Sequence, residues 1–164
     1  MKKYCFGVDV GGTTIKLGLF TVEGELLEKW EIPTRTENHS EAVLPDVAEA
    51  VLGKMKEKGI EKKEVTGVGF GVPGPVTAEG VIAMNANLGW RNKHVAKELE
   101  ELTGLPCKGG NDVKTAGLGE LWKGGAGGYK DAVFITLGTG VAAAIIVDGK
   151  VILGSEGAAG EVGH

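Results

Sequence analysis

Several things are scarce in this chain, and each shortage narrows its class. Aromatic residues make up 5% of its 164 positions, and there are two cysteines. Cys5 and Cys107 fit no metal-ligand spacing, so two free thiols in a reducing cytoplasm are the simplest account. The formal charge is −4 with no long basic run, which argues against a nucleic-acid surface. The apolar run after Met1-Lys2-Lys3 is too short and interrupted for a signal peptide or a membrane span. A soluble cytoplasmic protein with no nucleic-acid or membrane partner is expected. What the chain has in excess is glycine, 29 residues, roughly twice the usual share. Most of these glycines end apolar runs, where tight turns and close ligand approach need them.

The densest of these places is Gly7 to Lys16, where Asp9 closes an apolar run and Gly11, Gly12, Thr13, Thr14 and Lys16 follow. Glycine has no Cβ to hold a ligand away, so backbone N–H groups in such a turn approach a polyphosphate closely. The carboxylate of Asp9 suits magnesium, which takes hard oxygen ligands. A plain glycine-rich hairpin turn is the alternative. Lys16 is equally a solvated charge on a strand.

Patterning predicts an opening meander of three strands, Tyr4 to Val10, Thr14 to Val22 and Glu25 to Pro33, with Glu23-Gly24 as a tight turn. Helical periodicity follows from Ser40 to Lys58, with Pro45 tolerated in the first turn and Gly59 as the stop. Val65 to Phe70 reads as a strand and Val76 to Ala83 as its short hairpin partner. Asn92 to Leu102 reads as a helix, Pro106 to Gly109 as a strand, Asp112 to Trp122 as a helix, and Gly124 to Tyr129 as a surface loop.

The pattern then repeats its opening. Ala132 to Leu137, the turn Gly138-Thr139-Gly140, Val141 to Val147, the turn Asp148-Gly149 and a strand from Lys150 to Leu153 copy strand, glycine–threonine turn, strand, acidic–glycine turn, strand. Repeats report architecture. Two copies of one meander imply two similar lobes, each offering a hydroxyl–glycine turn to a cleft; the alternative is that hairpins simply look alike.

Six motifs in order carry a resemblance: Asp9 to Lys16, Gly71-Val-Pro-Gly-Pro75, Asn87-Leu-Gly-Trp90, Asn111-Asp112, Leu137-Gly-Thr-Gly140 and Gly160-Glu-Val-Gly-His164. Over essentially its whole length the chain resembles the ROK family of sugar kinases and sugar-responsive repressors, especially the bacterial glucokinases. The resemblance implies an α/β, actin-like and ribonuclease-H-like fold with a mixed sheet: one lobe over residues 1–111, then a linking helix and the opening meander of a second lobe over 112–164. It implies ATP-dependent phosphorylation of a hexose.

A sugar hydroxyl is a poor nucleophile, so a carboxylate must accept its proton as it attacks phosphorus. By resemblance Asp112 is that base, although Asn111 or Asp112 would also serve as a helix N-cap. The resemblance gives ATP and magnesium to Asp9, Gly11, Gly12, Thr13, Thr14 and Lys16, with Gly138, Thr139 and Gly140 as a second phosphate turn. It gives the sugar to Gly74, Asn87, Asn111, Asp112, Glu161 and His164.

Three departures qualify it. Ala142-Ala143-Ala144 stands where the family usually continues with glycines, and a stiffer strand is the expected consequence. Lys114 stands in Asn111-Asp112-Val113-Lys114 where the family more often has Asn, and a position two beyond Asp112 is expected to affect it little. His164 is a zinc ligand in the family, but no cysteine cluster accompanies it, so no zinc site is expected in this chain. The chain is therefore expected to be the front portion of a kinase, poorly active alone, with a second meander uncovered by helices and prone to homo-oligomerise through its exposed sheet or a lobe surface. A binding lobe without catalysis is the alternative. A repressor is disfavoured, because no helix-turn-helix is seen before Tyr4.

Overall fold

The computed structural model describes residues 1–138, 140–155 and 157–163. Three strands form the expected meander: β1 (Tyr4–Val10), β2 (Thr14–Thr21) and β3 (Leu26–Pro33). A short left-handed turn, α1 (Glu37–Ser40), leads into helix α2 (Val43–Lys58), and a 3-10 turn at Lys62–Glu64 into β4 (Val65–Val72). Then come β5 (Val81–Asn85), β6 (Trp90–His94), α3 (Val95–Thr103), β7 (Cys107–Asn111) and α4 (Asp112–Lys123). The chain continues through β8 (Ala132–Leu137), β9 (Val141–Val147) and β10 (Lys150–Val151).

The main sheet has the order β3-β2-β1-β4-β7. Tight turns make β1, β2 and β3 antiparallel, whereas β4 and β7 return through helices and lie parallel to β1. The sheet is thus mixed. Period-two alternation puts Phe6, Val8 and Val10 on one face with Ile15, Leu17 and Leu19 opposite them, and these share one buried cluster with Val43, Leu44, Val47, Val51 and Met55 of α2. Gly59 ends α2 in the left-handed conformation, with its own N–H on the Lys56 carbonyl and that of Ile60 on Met55, a Schellman stop.

Three predicted elements are corrected. Val76 to Ala83 is not a partner of β4: the strand begins at Val81 and pairs with β6 in a separate two-stranded sheet. The helix expected from Asn92 starts at Val95, because Trp90 to His94 is drawn into that hairpin. The Trp90 ring is buried there and its Nε1–H points to the Ser40 carbonyl, so a tertiary contact overrides helical periodicity. The first helix begins at Val43 rather than Ser40, since Asn38, His39 and Ser40 all have positive φ.

The second meander is antiparallel in the order β10-β9-β8, as the repeat implied. It was expected to lack helical cover, yet α4 packs against β8 and β9. The contact is close at Gly117, where a Cβ would lie 2.6 Å from the Ala144 Cβ. The opposite face keeps Val133, Ile135 and Leu137 exposed.

Leu44 anchors α2 on the main sheet and is almost fully buried. Leu44→Ala is expected to lower stability by about 2–5 kcal/mol, read as a fall in the urea midpoint at unchanged m-value.

Candidate functional site

The face of the main sheet opposite the α2 core is built for close approach. Across it, Lys16, Asp9, Gly71 and Gly110 stand in register on β2, β1, β4 and β7, and Gly18, Gly7 and Gly69 form the neighbouring row. The first turn of α4 lies against this face. A Cβ on Gly71 would stand 2.6 Å from Thr115 Oγ1 and 3.1 Å from the Asp112 Cα, so only glycine admits the helix here.

At the mouth of β1, Gly11 N–H donates to the Thr14 carbonyl at 3.1 Å, and a Cβ on Gly11 would meet that oxygen at 2.6 Å. A Cβ on Gly12 would meet nothing within 4 Å. Gly12 and Thr13 face solvent. Thr34, which sequence reasoning missed, pins this turn: its hydroxyl donates to the Gly11 carbonyl at 2.8 Å and its N–H to Thr13 at 2.9 Å. Lys16 is not in the turn. It stands exposed on β2 between Asp9 on one side and Glu31 on the other.

Asn111 settles the capping question. It is the N-cap of α4: its Oδ1 accepts from Lys114 N–H at 3.1 Å, while its Nδ2 donates to the Gly74 carbonyl at 2.9 Å. Asp112 is thereby free of the cap. Its Oδ1 accepts from the adjacent Val113 N–H at 2.8 Å. Burial pushes its carboxyl above the ordinary value of 3.8, and the negative charges of Asp9 and Glu161 push it further, against the Val113 hydrogen bond. Lys114 is not among the groups acting on it, in line with the small effect expected.

Gly74 has φ +87, and Asn85, also missed from the sequence, braces the turn before it. The Asn85 Nδ2 donates to the Pro73 carbonyl at 2.6 Å and its Oδ1 accepts from Leu88 N–H at 2.9 Å. Asn87 stands exposed in the turn that Asn85 and Leu88 close.

Glu161 is half-buried on a segment laid along β9, where Ala143 N–H donates to the Gly160 carbonyl at 2.7 Å. A Cβ on Gly160 would lie 2.1 Å from the Ala143 carbonyl oxygen. The triple alanine thus admits two close neighbours, α4 at Ala144 and this segment at Ala143. Gly138 and Gly140 form an exposed turn, with Gly138 N–H on the Gly140 carbonyl at 2.9 Å. Thr139 and His164 lie outside the described residues. Among the described residues, no three His, Cys, Asp or Glu side chains form a metal-holding group. No described helix is long and apolar enough to cross a membrane.

Asp9, Asp112, Gly74 and Glu161, scattered over the sequence, therefore converge around the first turn of α4, while Lys16 and Asn87 stand at its margins. The chain matches the ROK family model over residues 5–164. It is 40% identical over 163 residues to a glucokinase of Halalkalibacterium halodurans, covering 99% of this chain and 49% of that protein. It is 34% identical to an N-acetyl-D-glucosamine kinase of Aliivibrio fischeri, covering 97% and 51%. The crystal structure of a ROK family glucokinase from Streptomyces griseus in complex with glucose and AMPPNP superposes with a TM-score of 0.85 at 33% identity, covering 98% of this chain and 50% of that one. The chain belongs to the ROK family, with an α/β, actin-like fold. It spans about half the length of the curated relatives it matches.

A carboxyl whose folded pKa is raised binds its proton more tightly in the native state. Stability is therefore lost as pH rises from the unfolded value toward the raised one. Asp112→Asn, which keeps the Val113 contact, is expected to melt at higher temperature than the parent at pH 7. Thermal scans should show that advantage fading as pH falls to the ordinary value of 3.8.

Proposed function

We propose that this chain carries the sugar site and the first phosphate turn of an ATP-dependent hexose kinase, with glucose as the foremost substrate. The observation that carries the proposal is Asp112: a half-buried carboxylate of raised pKa, released from capping by Asn111, beside a turn that needs glycine. A general base works best when its pKa approaches the operating pH.

In this reading the Asp112 carboxylate accepts the proton of a sugar hydroxyl as that oxygen attacks the γ-phosphorus. The bond from phosphorus to the β–γ bridging oxygen breaks, and ADP leaves with the electron pair. Glu161 accepts hydrogen bonds from other sugar hydroxyls, and the backbone at Gly74 approaches the ring. The turn Gly11 to Thr14 offers N–H and hydroxyl donors to the phosphates, with Gly138 and Gly140 as a second contact. Asp9 fits a magnesium ion: its carboxylate is exposed, and on the β4 side its neighbour is a glycine. When bound, magnesium would neutralise charge on the phosphate oxygens. Asn111 acts on the sugar by holding Gly74 and the start of α4, since its amide already bonds the Gly74 carbonyl and the Lys114 N–H.

A second reading is a sugar- or nucleotide-binding lobe without turnover, since the exposed Gly12–Thr13 turn and the half-buried Asp112 and Glu161 would hold a ligand whether or not transfer follows. Calorimetry with glucose and with ATP–magnesium separates the two when set beside a coupled ADP-release assay. Heat of binding without ADP release supports the lobe. Where turnover is seen, Asp112→Asn is expected to lower kcat by about 10²–10⁴-fold with little change in the sugar KM. A variant retaining the parent kcat sinks the assignment of the base.

A further inference from the structure

Lys114 is charged, buried and unused by the reaction above. It is 3% exposed and lies in the first turn of α4. A cation is unfavourable at that place twice over. Burial strips its water, and the helix N-terminus carries partial positive charge. A residue that breaks two local rules needs a compensating contact.

That contact is distant in sequence. The Lys114 Nζ donates to the carbonyl of Gly157, 43 positions along the chain. Gly157 has φ +75, and a Cβ on it would meet the Val76 carbonyl oxygen at 2.8 Å, so packing against the loop between β4 and β5 fixes which way this peptide faces. From there the backbone runs through the Gly160 carbonyl, held by Ala143 N–H, to Glu161. Burial pushes the Lys114 pKa down, and the Glu161 charge works against that shift.

We propose that Lys114 is a positioning residue, a buried ammonium strut from the helix that bears Asp112 to the Gly157–Glu161 segment, which sets Glu161 at the sugar side of the site. Its effect on sugar binding rests on the kinase reading; the strut itself does not.

Hydrogen exchange by mass spectrometry on the ligand-free protein tests the strut. Lys114→Met removes the charge and the donor. It is expected to raise exchange of the Ala143 and 157–163 amides by about tenfold or more, leaving β1 and β4 protected. Lys114→Arg, which restores a cationic donor, is expected to recover part of that protection. In steady-state assays Lys114→Met should raise the sugar KM by about tenfold with a smaller change in kcat and none in the ATP KM. Unchanged exchange in the segment overturns the proposal. So does exchange that rises throughout the chain in both Lys114→Met and the milder Lys114→Gln, because Lys114 is then a general core group. A parent protein that turns over no sugar would defeat the kinase reading and leave the exchange result to decide the strut.

Discussion

The near-contact of β4 with the first turn of α4 is the constraint on which the rest of the site depends. With a Cβ absent at Gly71, the helix start sits on the sheet rather than above it. Only then does Asn111 reach the Gly74 carbonyl while capping α4, and only then does Asp112 feel the charge of Asp9 on β1. The same docking brings Gly117 onto Ala144, so one helix is fixed between the main sheet and the second meander. A side chain at either glycine would move Asp112 and the meander together.

Electrostatics then divides the work around that helix start. Three carboxylates, Asp9, Asp112 and Glu161, act on a common region, and burial raises the pKa of Asp112 there. Like charges and desolvation push in the same direction on it, which is how a carboxyl is brought toward use as a base. Lys114 supplies positive charge nearby without being among the groups that shift Asp112, because its ammonium faces Gly157 and Glu161. A cation facing Asp112 would have lowered its pKa and weakened it.

Much of this was legible in the residues. The meander, its repeat, the helix expected over Asp112 to Trp122 and the glycine–threonine turn at Gly11 to Thr14 all follow from local periodicity and turn chemistry, which short loops preserve. What was hidden depends on tertiary contact. Trp90 forces a hairpin where Lys93 and His94 suggest helix, since its ring must find the Ser40 carbonyl and the core. Asn85 and Thr34 brace the turns at Pro73 and Gly11 through backbone carbonyls far along the chain, and no sequence spacing records such partners. Lys114 was visible as an oddity beside Asp112, but its burial appears only once Gly157 is seen above it.

The alternation of β1 shows how the protein keeps stability and function from competing for the same atoms. Phe6, Val8 and Val10 point into the apolar cluster with α2, and their burial favours folding whatever stands between them. Gly7 and Asp9 point the other way, and there the protein accepts residues that contribute little to packing: bare glycine on β4 and an exposed carboxylate. Because the strand period is two, a one-residue slip of β1 would exchange the faces, burying Asp9 and exposing Phe6. The register that the core enforces through Val8 opposite Leu17 is therefore the same register that holds Asp9 beside Gly71. Site geometry here is a consequence of core packing, carried across the sheet by the pleat.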